Sequence, residues 1–337
     1  MSWLRRRSGP LIILGTSALG GTVYRILKPS NSGNESLNPY TFTPYTLVDK
    51  QPVSSTSAIF TLRHRHGAPE PESVREAWKR STWSVQIKQP QLQIARAYTP
   101  LPPTSDGEGK DEDMRLLIRQ ETGGELSTYL HRLPEQSTIE LRGPNTEFEL
   151  PDGINEVLFL AGGTGIAPAM QVAYILEGRP ESTMRILWAN RRREECVGGV
   201  SDGAGSITSK SGWKGFFGSS DSTAQQPLSD TNNGQEKGIM VKELDTLKAR
   251  SKAATRDLSV QYFVDEEKSV IRSGDVAKMI HESPGEKGSR VIMVSGPDGF
   301  VEYWAGRKLW VDGREAQGPL RGVLGKMNLK DWKVIKL

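Results

Sequence analysis

Val157–Leu176 reads VLFLAGGTGIAPAMQVAYIL. Its opening residues, VLFLA, are continuously apolar, too few for a helix, and closed by glycine. Such a run is a strand buried on both faces of a parallel sheet, where no face needs to be polar. Gly162, Gly163, Thr164 and Gly165 then turn the chain into a helix over Ala167–Leu176. Downstream the two periodicities alternate: MRILWAN (184–190) is a strand, VKELDTLKARS (241–251) a helix and LSVQYFVD (258–265) a strand. SGDVAKMIHES (273–283) is a further helix, and SRVIMVSGPDGF (289–300) a fourth strand with its Gly-Pro turn. That order predicts an open, doubly wound α/β sheet occupying 151–337.

Ligands of such sheets bind beyond the carboxyl ends of the strands. Three turns should therefore converge on one crevice: Gly163-Thr164-Gly165 with Pro168, Asn190-Arg191, and Ser295-Gly296-Pro297. Glycines let backbone approach a pyrophosphate, and the helix start offsets its charge. Arg191, Arg192 and Arg193 after the second strand have two readings, contact with an adenosine 2'-phosphate or a solvated turn.

The part before 150 has another texture. TLVDKQPV, AIFTLRHRH, WSVQIKQ, QIARAYTP, RLLIRQ and TIELRGP are short β-rich runs with turn residues between them, the pattern of a small antiparallel barrel over 40–150. Pro69–Arg80 reads as a charged loop or surface helix, and Ser105–Asp113 as a solvated acidic hairpin tip. Arg96, Tyr98, Thr99 and Pro100 place a guanidinium, a phenol and a hydroxyl at a strand end. Together they suit a phosphate, a flat ring and a ring nitrogen; the alternative is a strand with a polar face. Gly123 and Gly124 permit a tight turn, with Ser127 available to cap the helix that follows. Such a helix start either binds an anion or is simply capped. Arg119, ending the RLLIRQ strand, is a further cofactor-binding candidate.

The 337 residues suit two domains with appendages, and an apolar fraction of 36% leaves room for polar, unstructured stretches. A net charge of +4, with Lys and Arg spread among nearly as many acids, argues against a nucleic-acid partner. One cysteine excludes a disulfide framework, and four scattered histidines show no zinc spacing, so no metal site is expected. Residues 1–39 read as a targeting or membrane segment and linker. Arg5, Arg6 and Arg7 precede an apolar run from Leu11 to Tyr24, shorter than the roughly 20 residues of a full span, and no acid occurs before Glu35. A secretory signal, a mitochondrial targeting segment and a retained anchor compete. The arginine-rich, acid-free start favours a mitochondrial membrane anchor, with the positive residues in the matrix and the rest facing the intermembrane space. Residues 198–238 read as a flexible insertion, within which Trp213, Phe216 and Phe217 are either a docking patch or an incidental sticky loop.

Taken together, Arg96-Ala-Tyr98-Thr99-Pro100, Gly123-Gly124-x-x-Ser127-x-Tyr129-Leu130, Arg142-Gly143-Pro144, Gly162 to Pro168 and Ser295-Gly296-Pro297 resemble the motifs of the ferredoxin reductase superfamily, most closely its cytochrome b5 reductase branch. The resemblance implies an FAD-binding barrel and an NAD(P)-binding domain, with FAD and NADH or NADPH as cofactors. It implies that Arg96 and Ser127 hold the FAD pyrophosphate, Tyr98 lies on the flavin, Thr99 sits near its N5, and Thr164 and Pro168 shape the nicotinamide site. Two features depart from the family: Ser295 stands where a cysteine is usual beside the point of hydride transfer, and the chain ends WKVIKL where an aromatic-rich strand is usual. With the N-terminal segment, these departures are also similar to fungal mitochondrial flavoproteins that assist haem attachment to cytochrome c. That likeness implies haem or the cytochrome c maturation machinery as partner.

Overall fold

In a computed structural model the residues described are 36–67, 70–104, 113–202, 236–282, 289–311, 313–329 and 331–337. The expected N-terminal membrane segment, the acidic hairpin tip and the Trp213, Phe216, Phe217 patch lie outside them. Among the described residues no helix is long and apolar enough to cross a membrane.

The first half is a curled antiparallel sheet of β1 (Thr43–Pro52), β2 (Ser57–His64), β3 (Ser81–Gln89), β4 (Ile94–Tyr98), β5 (Met114–Arg119) and β6 (Thr138–Glu149). The strand order is β4-β3-β6-β1-β2-β5. Alternation explains the curl: Tyr45, Leu47, Phe60, Leu62, Val85, Ile87, Leu116, Ile118, Ile139 and Leu141 point inward to one core. The chain leaving β4 meets the far edge, where Pro100 bridges Leu116 and the Leu101 N–H donates to the Arg115 carbonyl at 2.8 Å. Two helices accompany this sheet, α1 (Glu72–Arg80) and α2 (Glu125–Arg132). The expectation for Pro69–Arg80 resolves to a helix, because Val74 and Ala77 bury one stripe.

The second half is a five-stranded parallel sheet with order β13-β10-β7-β8-β9: β7 (Glu156–Gly162), β8 (Thr183–Asn190), β9 (Asp257–Val264), β10 (Arg290–Ser295) and β13 (Trp332–Lys336). Every residue of β7 is buried, as the unbroken apolar run requires. Its helices are α3 (Ile166–Leu176), α4 (Ile239–Ala253), α5 (Ser273–Glu282) and α6 (Asp298–Ala305). Between α6 and β13 a two-stranded hairpin, β11 (Leu309–Val311) and β12 (Arg314–Ala316), stands apart from both sheets.

The structure corrects three sequence expectations. SGPDGF does not extend the fourth strand as a bare turn; the strand stops at Ser295, Pro297 takes the N-cap position and α6 begins at Asp298. WKVIKL, left outside the four strands read from the sequence, is a fifth strand, with Ile335 and Lys336 buried beside β10. Residues 201–202, assigned to the flexible insertion, are stitched to β9. The Tyr262 N–H donates to Ser201 Oγ at 2.9 Å, and the Val260 N–H to Asp202 Oδ2 at 2.8 Å.

The two sheets share apolar packing. Ile59, Leu101 and Leu117 of the first half lie in one cluster with Phe159, Met170, Val172, Leu244 and Leu247 of the second. α3 sits between them and buries all of its residues except Tyr174, so a helix apolar all round is what this position demands.

Candidate functional site

The order of the parallel strands reverses between β7 and β10, and the turns after these two strands lie side by side. A Cβ on Gly165 would stand 2.3 Å from the Ser295 carbonyl oxygen, so only glycine lets the turns meet. Gly163 has φ +53°, a conformation glycine adopts without penalty. Its carbonyl accepts the indole N–H of buried Trp188 at 2.9 Å, which fixes the loop from below.

Beyond these turns opens a cleft of about 600 Å³, with Gly163, Asn190, Arg191, Pro297 and Tyr303 on its wall and Arg119 reaching in from β5. Arg119 is held by Glu195 at 2.6 Å, both side chains nearly buried, and its guanidinium covers Gly163. Asn190 is 2% exposed, yet neither its amide nitrogen nor its amide oxygen has a hydrogen-bond partner. Leaving such groups unpaired costs roughly 1–3 kcal/mol each, which singles this amide out as a candidate contact for a bound molecule. Of the three consecutive arginines, only Arg191 is at the cleft. Arg192 turns to Ser55 and Glu194, and Arg193 is paired with Glu267 while its backbone N–H donates to Glu266. The 2'-phosphate reading is thereby withdrawn for Arg192 and Arg193: local carboxylates occupy both.

On the barrel side, Arg96 and Tyr98 lie on edge strand β4, opposite Ile87 and Val85 of β3. Arg96 is exposed, with one hydrogen bond to the Ala95 carbonyl at 3.0 Å. Tyr98 packs on the barrel core, and burial pushes its hydroxyl up to about 12, so it remains a neutral donor at physiological pH. Gly123, with φ +76°, and Gly124 form one wall of a cavity of about 560 Å³ at the start of α2, together with Gln89, Thr128 and Tyr129. Ser127 does not cap this helix. Gly124 is the N-cap, while the Ser127 hydroxyl accepts the Glu121 N–H at 3.0 Å and donates to the Gly124 carbonyl at 3.3 Å. Its hydroxyl shapes the turn from within.

The two halves meet at a cavity of about 190 Å³ in which Thr99 of the barrel motif, Pro168 of the first nucleotide turn and Ser295 of the last face one another, with Ser84 and Leu337 beside them. Thr164 lies half-buried in the turn between Gly163 and Gly165, and Gly296, with φ +152°, packs on Gly162. Three functional side chains escaped sequence reasoning: Glu195, Trp188 and Gln171. Gln171 is wholly buried on α3; its Oε1 accepts the Trp83 N–H at 2.9 Å, and its Nε2 donates to the Trp83 and Pro100 carbonyls at 3.1 and 3.0 Å. A single amide inside an apolar helix was the signal, since a buried amide must find partners.

With this geometry in view, residues 44–150 match the family described as the oxidoreductase FAD-binding domain. The chain is 31% identical over 149 residues to the cytochrome c mitochondrial import factor CYC2 of Saccharomyces cerevisiae, covering 40% of this chain and 39% of that protein. It is 23% identical over 248 residues to NADH-cytochrome b5 reductase 2 of Kluyveromyces lactis, covering 72% and 67%. The chain thus spans about two-fifths of the first relative's length. Among solved structures, the cytochrome b5 reductase domain of Ulva prolifera nitrate reductase superposes with a TM-score of 0.53 at 17% identity, over 89% of this chain and 98% of that one, and so shares the fold.

Proposed function

We propose that this chain, whose residues 44–150 match the oxidoreductase FAD-binding domain, is an NAD(P)H-dependent reductase that delivers single electrons to a haem or haem-protein acceptor. The observation carrying this reading is the cavity where Thr99, Pro168 and Ser295 converge, next to the cleft containing the unpartnered Asn190 amide. One NAD(P)H would reduce two acceptors, giving NAD(P)+ and one proton.

FAD supplies the chemistry of accepting a hydride and releasing electrons one at a time. The chain's residues bind and orient. Arg96 offers fixed donors to a pyrophosphate, and the Gly123-Gly124 turn offers backbone N–H groups at a helix start. Tyr98 provides a flat face and a neutral hydroxyl, and Thr99 a hydroxyl for a ring nitrogen. Asn190 pairs with the nucleotide, while Pro168 and Ser295 confine its nicotinamide. Gln171 keeps Thr99 and Pro168 in register. Residues 40–150 then act as the flavin domain and 151–337 as the nucleotide domain.

The finer role we propose is in mitochondrial cytochrome c maturation, with the chain held at the inner membrane by its N-terminal segment and its catalytic halves in the intermembrane space. Likeness to the yeast import factor and the Arg5–Arg7 start support it. A general mitochondrial cytochrome b5 reductase is the second reading, favoured by the longer match to the Kluyveromyces enzyme. Anaerobic titration with NADH and NADPH, followed at the flavin absorbance band, is the test. Bleaching at one equivalent is expected. FAD that stays oxidised would mark a flavoprotein assembly factor without turnover.

Two substitutions examine the roles. Arg96→Ala is expected to weaken FAD retention ten- to a hundredfold, since a charge-assisted hydrogen bond contributes about 1.5–3 kcal/mol; full flavin content after long dialysis would remove Arg96 from the site. Ser295→Cys is expected to speed flavin reduction in rapid mixing without altering FAD content. A thiol packs the ring more firmly than a strongly hydrated hydroxyl, and hydride transfer depends on aligned approach.

A further inference from the structure

Nine large apolar side chains are exposed among the described residues, and four of them, Leu309, Trp310, Val311 and Leu320, fall between 309 and 320. The first three are consecutive on β11, with Trp310 75% exposed. Successive strand residues face opposite sides, so both faces of the β11–β12 ribbon carry apolar surface to the outside. A lone two-stranded hairpin is marginal in water, and a bare apolar one is a surface built to be covered. Leu320 returns to its base, where Gly318 abuts Leu309: a Cβ there would lie 3.0 Å from Leu309 Cγ. The two cations leading into β11 are already paired, Arg307 with Glu302 at 2.8 Å and Lys308 with Glu315 at 2.9 Å. What the first strand presents is therefore apolar area rather than charge.

The chain from residues 1–35 enters on the same side of the molecule. Leu37, 2% exposed, is fixed in the barrel core, and the Asn38 carbonyl accepts the Gly143 N–H at 3.0 Å. Gly143 packs on the Ser84 carbonyl, and Ser84 lines the junction cavity together with Lys308 and Glu315 of the hairpin base. Asn38 thus stands two interstrand spacings, about 10 Å, from a residue that shares a cavity with that base. Beside it Tyr40 is 85% exposed, and Tyr40 and Trp310 are the two most exposed aromatic side chains among the described residues. Residues 25–35 separate Tyr24, the end of the apolar run, from Ser36. At no more than about 3.6 Å per residue, they reach at most about 40 Å. An anchor in residues 11–24 therefore keeps the side carrying Tyr40 and the hairpin toward the bilayer.

We infer that the β11–β12 hairpin is a second membrane contact, whose Leu309, Trp310 and Val311 enter the interfacial layer of the bilayer that holds the N-terminal segment. The inference rests on the membrane-anchor reading above and adds the face of the folded halves that meets lipid. A fluid medium covers both faces of a ribbon at once. A rigid partner or a second copy covers one, and a stable association of that kind takes about 800 Å² from each side. The ribbon's open edges carry backbone groups that hydrocarbon cannot satisfy, so the bilayer core excludes it. Insertion stops about 5–10 Å deep, at the level where Trp and Tyr rings concentrate. Two attachments fix an orientation that one tether leaves open, and the junction cavity, whose wall includes the hairpin base, is held beside the membrane surface.

The test uses the full FAD-loaded chain reconstituted with phosphatidylcholine vesicles. The single native thiol, Cys196, is 1% exposed, so Trp310→Cys, Val311→Cys and a control, Val200→Cys, can each carry one fluorophore. Val200 is 75% exposed next to Ser201, which is bonded to β9, at the opposite edge of the parallel sheet from β13, where Lys336 holds the hairpin base through the Arg307 carbonyl. Nitroxide-bearing lipid is expected to quench the labels at 310 and 311 several-fold more strongly than the label at 200, and aqueous iodide to do the reverse. FAD content should match the wild type in all three variants. Labels at 310 and 311 open to iodide on vesicles that carry the protein would overturn the inference alone. Shielding from both quenchers would mean that this chain's own residues or a second copy covers the ribbon, and would also overturn it, as would equal lipid quenching at 200. A chain that fails to float with the vesicles would overturn the anchor reading and this inference with it.

Discussion

Replacing Gly165 with alanine is expected to destabilise the protein by about 3 kcal/mol, at the upper end of ordinary overpacking. The backbone is not the reason: φ −61° and ψ −4° suit any residue. The added methyl would lie 2.3 Å from the Ser295 oxygen, 2.5 Å from its carbonyl carbon and 2.8 Å from the Gly296 nitrogen, all main-chain atoms that no rotamer can clear. The turns after β7 and β10 must part, and the junction cavity widens with them. Flavin reduction should therefore fall about 100-fold, the scale of a 1 Å misplacement. Gly153→Ala is the control, since a methyl there meets nothing within 4 Å. Urea midpoints that coincide for the two variants would refute this account of Gly165.

Gln171→Leu should have a comparable or larger effect. It removes three buried hydrogen bonds and strands the Trp83 N–H, the Trp83 carbonyl and the Pro100 carbonyl away from water. At roughly 1–3 kcal/mol per orphaned group, a loss of about 4 kcal/mol is expected. The damage is directional as well. Pro168 and Gln171 lie one turn apart on α3, and Pro100 directly follows Thr99, so the amide fixes the nicotinamide wall against the flavin wall. Flavin reduction in a variant that still folds should slow while its FAD content is retained. Normal reduction kinetics would show that Gln171 is only a fastener.

The fold was legible wherever one residue pattern had one physical solution. VLFLAGG ends in glycine and is apolar throughout, so a buried parallel strand was forced, and the helix after it followed. The short β-rich runs of the first half read as a small antiparallel barrel, and they form a curled antiparallel sheet of the order β4-β3-β6-β1-β2-β5. Legibility failed where context decided. WKVIK is too short to declare itself and becomes a strand because β10 offers it an edge. SGPDGF signalled a turn strongly enough to hide the helix starting inside it. The arginine run could not reveal that Glu194 and Glu267 would claim two of its three members. For the candidate site, the turns were readable because glycine spacing is a local property. The residues joining them were not. Glu195 and Gln171 act on partners 76 and 71 to 88 positions away, and no local pattern records such a pairing.

The shared apolar cluster also bears on how the chain is made. Synthesis runs from the N-terminus, so the curled sheet leaves the ribosome with Ile59, Leu101 and Leu117 facing water, because Phe159, Met170, Leu244 and Leu247 have yet to be translated. At 5–20 residues per second, about 100 residues separate the end of β6 from Leu247, a wait of roughly 5–20 s. Through that interval the nascent half presents a greasy, unfinished surface. It is then a natural client for a holding chaperone, and a stop codon placed after β6 would release a fragment prone to aggregate.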